Sequence, residues 1–511
     1  MSSTDAAGSM ISSARDLSTF IGALLDGQLV APPLLEQMLE PSDKGVLLGV
    51  AGWGPGMMTL PMASGPRMIH GIGGGIYGYS GELQPAIMIV GWNRVGGVPT
   101  VRWLDVVGRV GRVVAAVATA FATAEPAVLI SAGLATEILV AGGGLSWWSR
   151  ASNRRTRAGA ATVVAAVAAV SAAAIAIPGP LAHHAPAVTG HSSWRLSTGS
   201  RVRATHLAAG GTHRREPVVV LHGGPGVPDM AGDVVFYRPL TSDGFDVYVY
   251  DQLGSGRSSR LDDPSGYGIA RDVADLEQIR RGIGADRMVL VDHSYGGALA
   301  THYLARHPDR VARMVLQSPG PPDPADTSAA RARTGLGAAQ QARLYAALLA
   351  PRPLLGYLLL QVDPSAAHAF FGDAEADARN DRVVTLASPG LHCPPAPAGP
   401  PRQGTGFSAM QYPQSATSPP RPDPRAALRG LSTPTLILKG SCDYLSWHSA
   451  TEYRDLLPNA RLLYVHGAGH NIAEDRPDLM LDAARAFLVH APLPQPTHAG
   501  SNVPADYLGP P

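Results

Sequence analysis

Cysteine is almost absent: Cys393 and Cys442 are the two in 511 residues. Two cannot build a disulfide scaffold or a four-cysteine zinc site. They either pair with each other in an oxidising compartment or remain as two buried thiols. Charge is also scarce. Charged side chains make up 16% of the chain, against about a quarter in an average soluble protein, and a membrane segment is therefore expected. Neither sign is in excess: Lys plus Arg is 41, Asp plus Glu is 40, and the net charge is +1. That balance leaves no electrostatic footprint for nucleic acid as the main partner. Met1-Ser2-Ser3-Thr4-Asp5 has neither a basic region nor an apolar core, so no signal peptide is expected. Abundant instead are Gly (58) and Pro (45), about a fifth of the chain, which mark loops and linkers. Hydrophobic content of 45% excludes a wholly disordered protein.

The chain divides into parts. Residues 1–110 read as a small mixed segment. Leu17, Phe20, Ile21, Leu24 and Leu25 repeat at helical spacing until Gly27. A second short helix opens at Pro32 and Pro33, a Gly-rich run covers 71–78, and 87–90 has the pattern of a strand. Residues 111–182 read as a transmembrane region. The strongest candidate span is 158–177, twenty residues without a charge, long enough for about 30 Å of hydrocarbon. A second candidate, 127–148, carries Glu137 at mid-span, which is costly there, and ends on Trp147 and Trp148. Arg150, Arg154, Arg155 and Arg157 lie between the two. The positive-inside rule puts this cluster in the cytoplasm and the chain after Ile177 on the extracytoplasmic side. Residues 183–193 are a polar linker, and 491–511 form a Pro-rich tail.

From 194 to 490 short, wholly apolar runs alternate with helical patterns. The runs are 218–221, 247–250, 288–291, 314–316, 435–438 and 462–465, with helices such as 269–283 and 298–305 between them. This implies an α/β fold with a mostly parallel sheet covered on both faces. Residues 320–428 break the rhythm as an insertion. Ligands bind at the carboxyl ends of strands in such sheets. After 288–291 comes Asp292-His293-Ser294-Tyr295-Gly296-Gly297 and then a helix. A serine at the apex of a strand–turn–helix is the setting of a nucleophile elbow. Serine needs a base held by a carboxylate. His470, in the loop after the last strand, is the candidate base, with His466 as competitor, and Asp443, after the preceding strand, is the candidate acid. An oxyanion hole needs backbone N–H groups. Tyr295 offers one, and Gly223 or Gly224 in His222-Gly223-Gly224-Pro225-Gly226 offers the other.

These motifs, with Asp251-Gln252-Leu253-Gly254-Ser255-Gly256-Arg257-Ser258 and Gly469-His470, resemble the α/β-hydrolases, closest to the proline iminopeptidase-like group of serine peptidases. The resemblance implies an eight-stranded sheet with helices on both faces, a cap inserted after the sixth strand at about 320–428, and no cofactor or metal. It also implies a Ser294–His470–Asp443 triad acting through an acyl-enzyme on a small peptide or ester. Cap acids hold the substrate amine in that group; here Asp373 and Glu375 are the candidates, alongside Asp377, the other reading of the run being a solvated helix face. Two residues depart from the pattern: Leu253 stands where the group has arginine, and Asp292 stands where the elbow has glycine. A carboxylate at position 292 can strain the turn or shift the proton equilibria of the triad, which opens a second function class, a catalytically impaired binding protein at the membrane. The segment 12–39 with 71–80 resembles the end of the serine β-lactamase/D-Ala-D-Ala carboxypeptidase-like superfamily. That chemistry needs a Ser-x-x-Lys without counterpart here, and His70 is off register, so this part reads as an inactive remnant.

Overall fold

The computed structural model describes strands at 46–47, 51–54, 57–60 and 68–71, and the chain from residue 173 onward except 174, 182–187, 189, 327, 329–334, 395–402, 412–420, 501 and 511. The helices expected near 13–25 and 32–38, the strand at 87–90 and candidate span 127–148 lie outside the described residues, as does most of span 158–177. Among the described residues no single helix is long and apolar enough to cross a membrane.

The chain separates into two compact units, Met1–Arg102 and Trp103–Pro511. The first contains an antiparallel sheet of β1 (Val46–Leu47), β2 (Ala51–Gly54), β3 (Met57–Leu60) and β4 (Met68–Gly71) in sequence order.

The second unit is built on an eight-stranded sheet. Its strands are β5 (His191–Arg195), β6 (Arg201–Leu207), β7 (Val218–Leu221), β8 (Val247–Asp251), β9 (Met288–His293), β10 (Val311–Gln317), β11 (Thr435–Gly440) and β12 (Ala460–Val465), in the spatial order β12-β11-β10-β9-β7-β8-β6-β5. The six from β7 to β12 run parallel; β6 pairs antiparallel with β8, and β5 antiparallel with β6. The six apolar runs in the sequence are these six parallel strands. Side chains alternate across a strand, so an unbroken apolar run must have a core on each face, and it does. Val219, Leu221, Leu290, Leu316, Ile437 and Leu462 share one core with α3 (Ile269–Gly282), α4 (Tyr295–Arg306), α8 (Arg425–Leu428) and α9 (Trp447–Leu456). Val218, Val220, Val289, Val291, Leu436 and Leu463 share the other with α1 (Met230–Tyr237), α2 (Pro239–Ser242), α10 (Ile472–Asp475) and α11 (Pro477–Val489). Each fully buried Val or Leu contributes about 1.5–3 kcal/mol.

The insertion lies between β10 and β11, after the sixth strand of this sheet. Its helices α5 (Ala338–Leu348), α6 (Pro351–Val362) and α7 (Pro364–Ala387) enclose a third core of Leu355, Leu359, Phe370, Phe371 and Phe407. Leu253 is buried in this same core, so the residue that replaces the expected arginine packs under the cap. Helix α7 breaks at Gly372, where φ is 66°. The Pro-rich tail is docked against the sheet's end: Tyr507 is buried, packs on Trp447 with ring centroids 5.5 Å apart, and donates to the carbonyl of Asp443 at 3.0 Å.

Candidate active site

Strand β9 passes directly into α4, and Ser294 is the joint. Its φ is 55° with ψ −114°, a conformation L-residues seldom adopt. The turn is held by Ser294 N–H donating to Gln317 O at 3.0 Å and by Gly297 and Gly320 N–H donating to Ser294 O. It also requires glycine at 296, because a Cβ there would collide with the carbonyl oxygen of Leu221. Tyr295 opens α4, where first-turn N–H groups lack helical acceptors. Its hydroxyl donates to Asp272 at 2.6 Å and ties α4 to α3. Asp272 is half-buried, and desolvation pushes its carboxyl up to about 7 despite that hydrogen bond.

Asp443 and His470 come from the loops after β11 and β12. His470 Nδ1 lies 2.9 Å from Asp443 Oδ1, with both side chains at most 3% exposed. An N–H on Nδ1 directed at the carboxylate leaves Nε2 as the acceptor. Asp443 Oδ1 also accepts from Leu445 N–H at 3.1 Å, and Oδ2 from Lys439 Nζ at 2.8 Å. Burial pushes this carboxyl up, but Lys439 and His470 outweigh it and hold it well below the usual range. The end of the cap secures both loops. Leu391 O accepts from the N–H groups of His470 at 2.7 Å and Asn471 at 3.2 Å. Asp475 accepts from His392 Nδ1 and Gly469 N–H, both at 2.7 Å. Cys393 is disulfide-bonded to Cys442, the residue before Asp443. The sequence had left open whether the two cysteines pair; the fold brings their Cα atoms to 5.2 Å. Gly469 must lack a side chain, since a Cβ would collide with Leu391 O.

The loop carrying Gly223 and Gly224 is pinned by the second motif. His222 Nε2 accepts from Gln252 N–H at 3.0 Å and lies 3.1 Å from Ser255 Oγ, while Gln252 Nε2 donates to His222 O at 3.0 Å. An accepting Nε2 places the proton on Nδ1, which lies 2.9 Å from Gly223 O.

Ser294, His470, Gly223 and Gly224 line one cavity of about 340 Å³, with Asp443 hydrogen-bonded behind His470. Phe236, Tyr237, Val384 and Leu391 give it apolar and aromatic wall, and Gln317, Ser388 and Asn471 line it too. Three carboxylates line it as well, Asp229, Asp233 and Glu474, and among its described lining there is no lysine or arginine. Asp373 and Glu375 are not brought to this cavity. Glu375 is buried against Arg352 in a two-point ion pair at 2.6 and 2.8 Å, and Asp373 lies 3.2 Å from His368 Nε2. Asp377, read as part of a solvated face, pairs with Arg260 at 2.7 Å. The competitor His466 is exposed and pairs with Asp506 at 2.7 Å. Sequence reasoning missed Tyr444, whose hydroxyl is 3.5 Å from His470 Nε2, and His293, whose Nε2 is 3.2 Å from His470 O. Both are nearest neighbours of residues already singled out, and that adjacency was the available signal. It also missed Lys439, which by position is one more residue of an apolar strand.

Asp292 is fully buried on β9, and neither carboxylate oxygen accepts a hydrogen bond of ordinary geometry from the described residues. Burial pushes its carboxyl well up, and the Gln317 backbone amide counters this only in part.

A parallel sheet with a serine at a strained strand–helix joint, and a His–Asp pair on the loops after its last two strands, defines an α/β-hydrolase architecture. The chain belongs to the α/β-hydrolase fold family, whose model matches residues 216–477. Among curated relatives, the proline iminopeptidase of Saccharolobus solfataricus is 38% identical over 102 residues, 20% of this chain and 32% of that protein. The match thus spans about a third of that relative's length. The 1-acylglycerol-3-phosphate O-acyltransferase ABHD5 of Sus scrofa is 27% identical over 311 residues, 56% of this chain and 80% of that protein. Among solved structures, the crystal structure of VinJ aligns with 60% of this chain and 99% of its own, at 21% identity and a TM-score of 0.43.

Proposed function

We propose that the protein is a serine hydrolase working through an acyl-enzyme, with Ser294 as nucleophile, His470 as general base and Asp443 as the orienting acid. The observation that carries this reading is the 2.9 Å His470–Asp443 pair behind a cavity that His470 and Ser294 line together. Ser294 Oγ attacks the substrate carbonyl carbon while His470 Nε2 takes the Oγ proton. The resulting oxyanion accepts from the N–H of Tyr295 and of Gly223 or Gly224. His470 passes its proton to the leaving group, and the scissile bond breaks. Water then attacks the acyl carbon, losing a proton to His470, which returns it to Oγ as the ester bond breaks.

The substrate of first choice is a peptide with a free N-terminal amine, proline in particular, and a small ester is the alternative. Carboxylates in the cavity, with no lysine or arginine among its described lining residues, favour a positively charged group over a phosphate or a carboxylate. Asp373 and Glu375 lie off the cavity; the acids that line it are Asp233, Asp229, which accepts from Gly232 N–H at 3.1 Å, and Glu474, which accepts from Asn471 Nδ2 at 3.2 Å. The hydrolase unit lies outside the cytoplasm, held by a span at 158–177, and a disulfide fits that oxidising side. The test is labelling by a fluorophosphonate. The intact chain should label, Ser294→Ala should not, and prolyl arylamides should turn over faster than esters; equal labelling of both chains would remove Ser294 from the mechanism. Protease digestion of intact and permeabilised cells tests the location.

A second reading is a catalytically impaired binding protein, favoured by the carboxyl of Asp292 buried in the elbow. A folded chain that binds a peptide equally well with and without Ser294→Ala, and labels in neither form, would establish it.

A further inference from the structure

Two carboxyl groups with no solvent exposure stand near the carboxyl ends of strands in one sheet. Asp292 has no hydrogen-bond donor of ordinary geometry among the described residues, and burial drives it towards the neutral acid. Asp443 is buried as deeply, yet it is held ionised. Asp443 differs in accepting from Leu445 N–H and pairing with His470, and in having a cation, Lys439, against its other oxygen. The Lys439 side chain is 1% exposed, on a strand whose other positions include the apolar and buried Leu436, Ile437 and Leu438. Its ammonium donates to Asp443 Oδ2 at 2.8 Å and to Leu445 O at 2.9 Å, and lies 5.8 Å from the centre of the Tyr507 ring.

A buried ammonium costs several kcal/mol to desolvate, and the packing of β11 would accept an aliphatic side chain. The carboxylate, in contrast, is favoured in its charged form by a cation beside it. A triad acid must be an anion to accept the imidazole N–H and stabilise the imidazolium, and a dry site favours its neutral form. His470 supplies a positive charge only after it has taken the proton from serine. Before that moment the positive charge against Asp443 is the Lys439 ammonium, which burial pulls below its ordinary range and Asp443 partly holds up.

We propose that Lys439 is a positioning residue of the triad, supplying a positive charge beside Asp443 that helps to keep it a carboxylate aimed at His470 in the resting enzyme. This rests on the reading of Ser294, His470 and Asp443 as catalytic. The other groups facing the pair do not replace that charge. Asp326, which accepts from Ser446 Oγ at 2.8 Å, is itself negative; Tyr507 donates to backbone carbonyls; Tyr444 and His293 face His470 rather than Asp443.

The experiment measures the rate of fluorophosphonate labelling against pH in the full chain. Lys439→Gln keeps a donor and removes the charge, and Lys439→Arg keeps the charge. Labelling of Lys439→Gln should fall about tenfold at pH 6 and less than about threefold at pH 9, because Asp443 then titrates in the working range. Lys439→Arg should follow the parent profile. Infrared difference spectra, referenced to Asp443→Asn, should show a protonated carboxyl in Lys439→Gln at pH 6 and none in the parent. That readout still decides the matter if the parent fails to label, a result that would count against the hydrolase reading alone. Lys439→Met, close in volume, substitutes if the glutamine variant does not fold. A variant that is less stable but keeps the parent's pH profile and shows no protonated carboxyl would reduce Lys439 to a structural ion pair and overturn the proposal.

Discussion

Replacing Asp292 by asparagine should make the protein's relative stability depend on pH in a definite direction. The unfolded chain releases the Asp292 proton near the ordinary value of about 3.9. The folded chain keeps it, because the carboxyl is buried without a hydrogen-bonded donor of ordinary geometry among the described residues. Between those two values the unfolded state is favoured by about 1.4 kcal/mol for each pH unit. A raised carboxyl pKa thus leaves stability intact at low pH and removes it as pH rises. Asp292→Asn has the shape of the acid and no proton to lose. Its stability relative to the parent should therefore rise with pH, by up to about 2.7 kcal/mol between pH 5 and pH 7. Asp251 and Asp272, which burial pushes up to about 6 and about 7, are present in both chains and cancel in the difference. The assay is urea unfolding of parent and variant at half-unit pH steps, followed by tryptophan fluorescence. A difference that stays flat from pH 5 to pH 7 would show that Asp292 is ionised in the fold, and that burial does not set the charge of the elbow.

Three further outcomes follow from the same contacts. Glu375→Ala should cost about 3–5 kcal/mol by stranding the buried Arg352, while KM for amine substrates is unchanged if the ion pair is structural; thermal denaturation and steady-state kinetics together check it. Joint replacement of Cys393 and Cys442 by serine should lower stability by about 4 kcal/mol, the chain entropy of a loop that separates the cysteines by 49 residues. An unchanged melting temperature in dithiothreitol would contradict that. Ser294→Ala should abolish labelling with little change in melting temperature, because the serine's contribution to the turn is made by its backbone.

Much of the site was legible because its chemistry is tied to short local patterns. A strand, a sharp turn and a helix must place Ser294 at a strand end, and the six parallel strands were visible because burial on both faces demands unbroken apolar runs. Strands β5 and β6 carry no such signal. They lie at the antiparallel edge, where one side meets water, and residues such as Arg201, Arg203 and His206 interrupt the apolar pattern.

Sequence alone determined the order of the six parallel strands, the position of the cap insertion and the choice of Ser294, Asp443 and His470 as candidates. Each follows from the period of apolar residues or from a residue type at a strand end, and such information is local. Only the tertiary structure decided which charges meet. Glu375 faces Arg352 and not the cavity, His466 is turned to Asp506, Cys393 reaches Cys442, and Lys439 reaches Asp443 from inside an apolar strand. Partners of this kind are selected by where separate loops and helices come to rest, and a buried charge takes its meaning from the one group close enough to answer it.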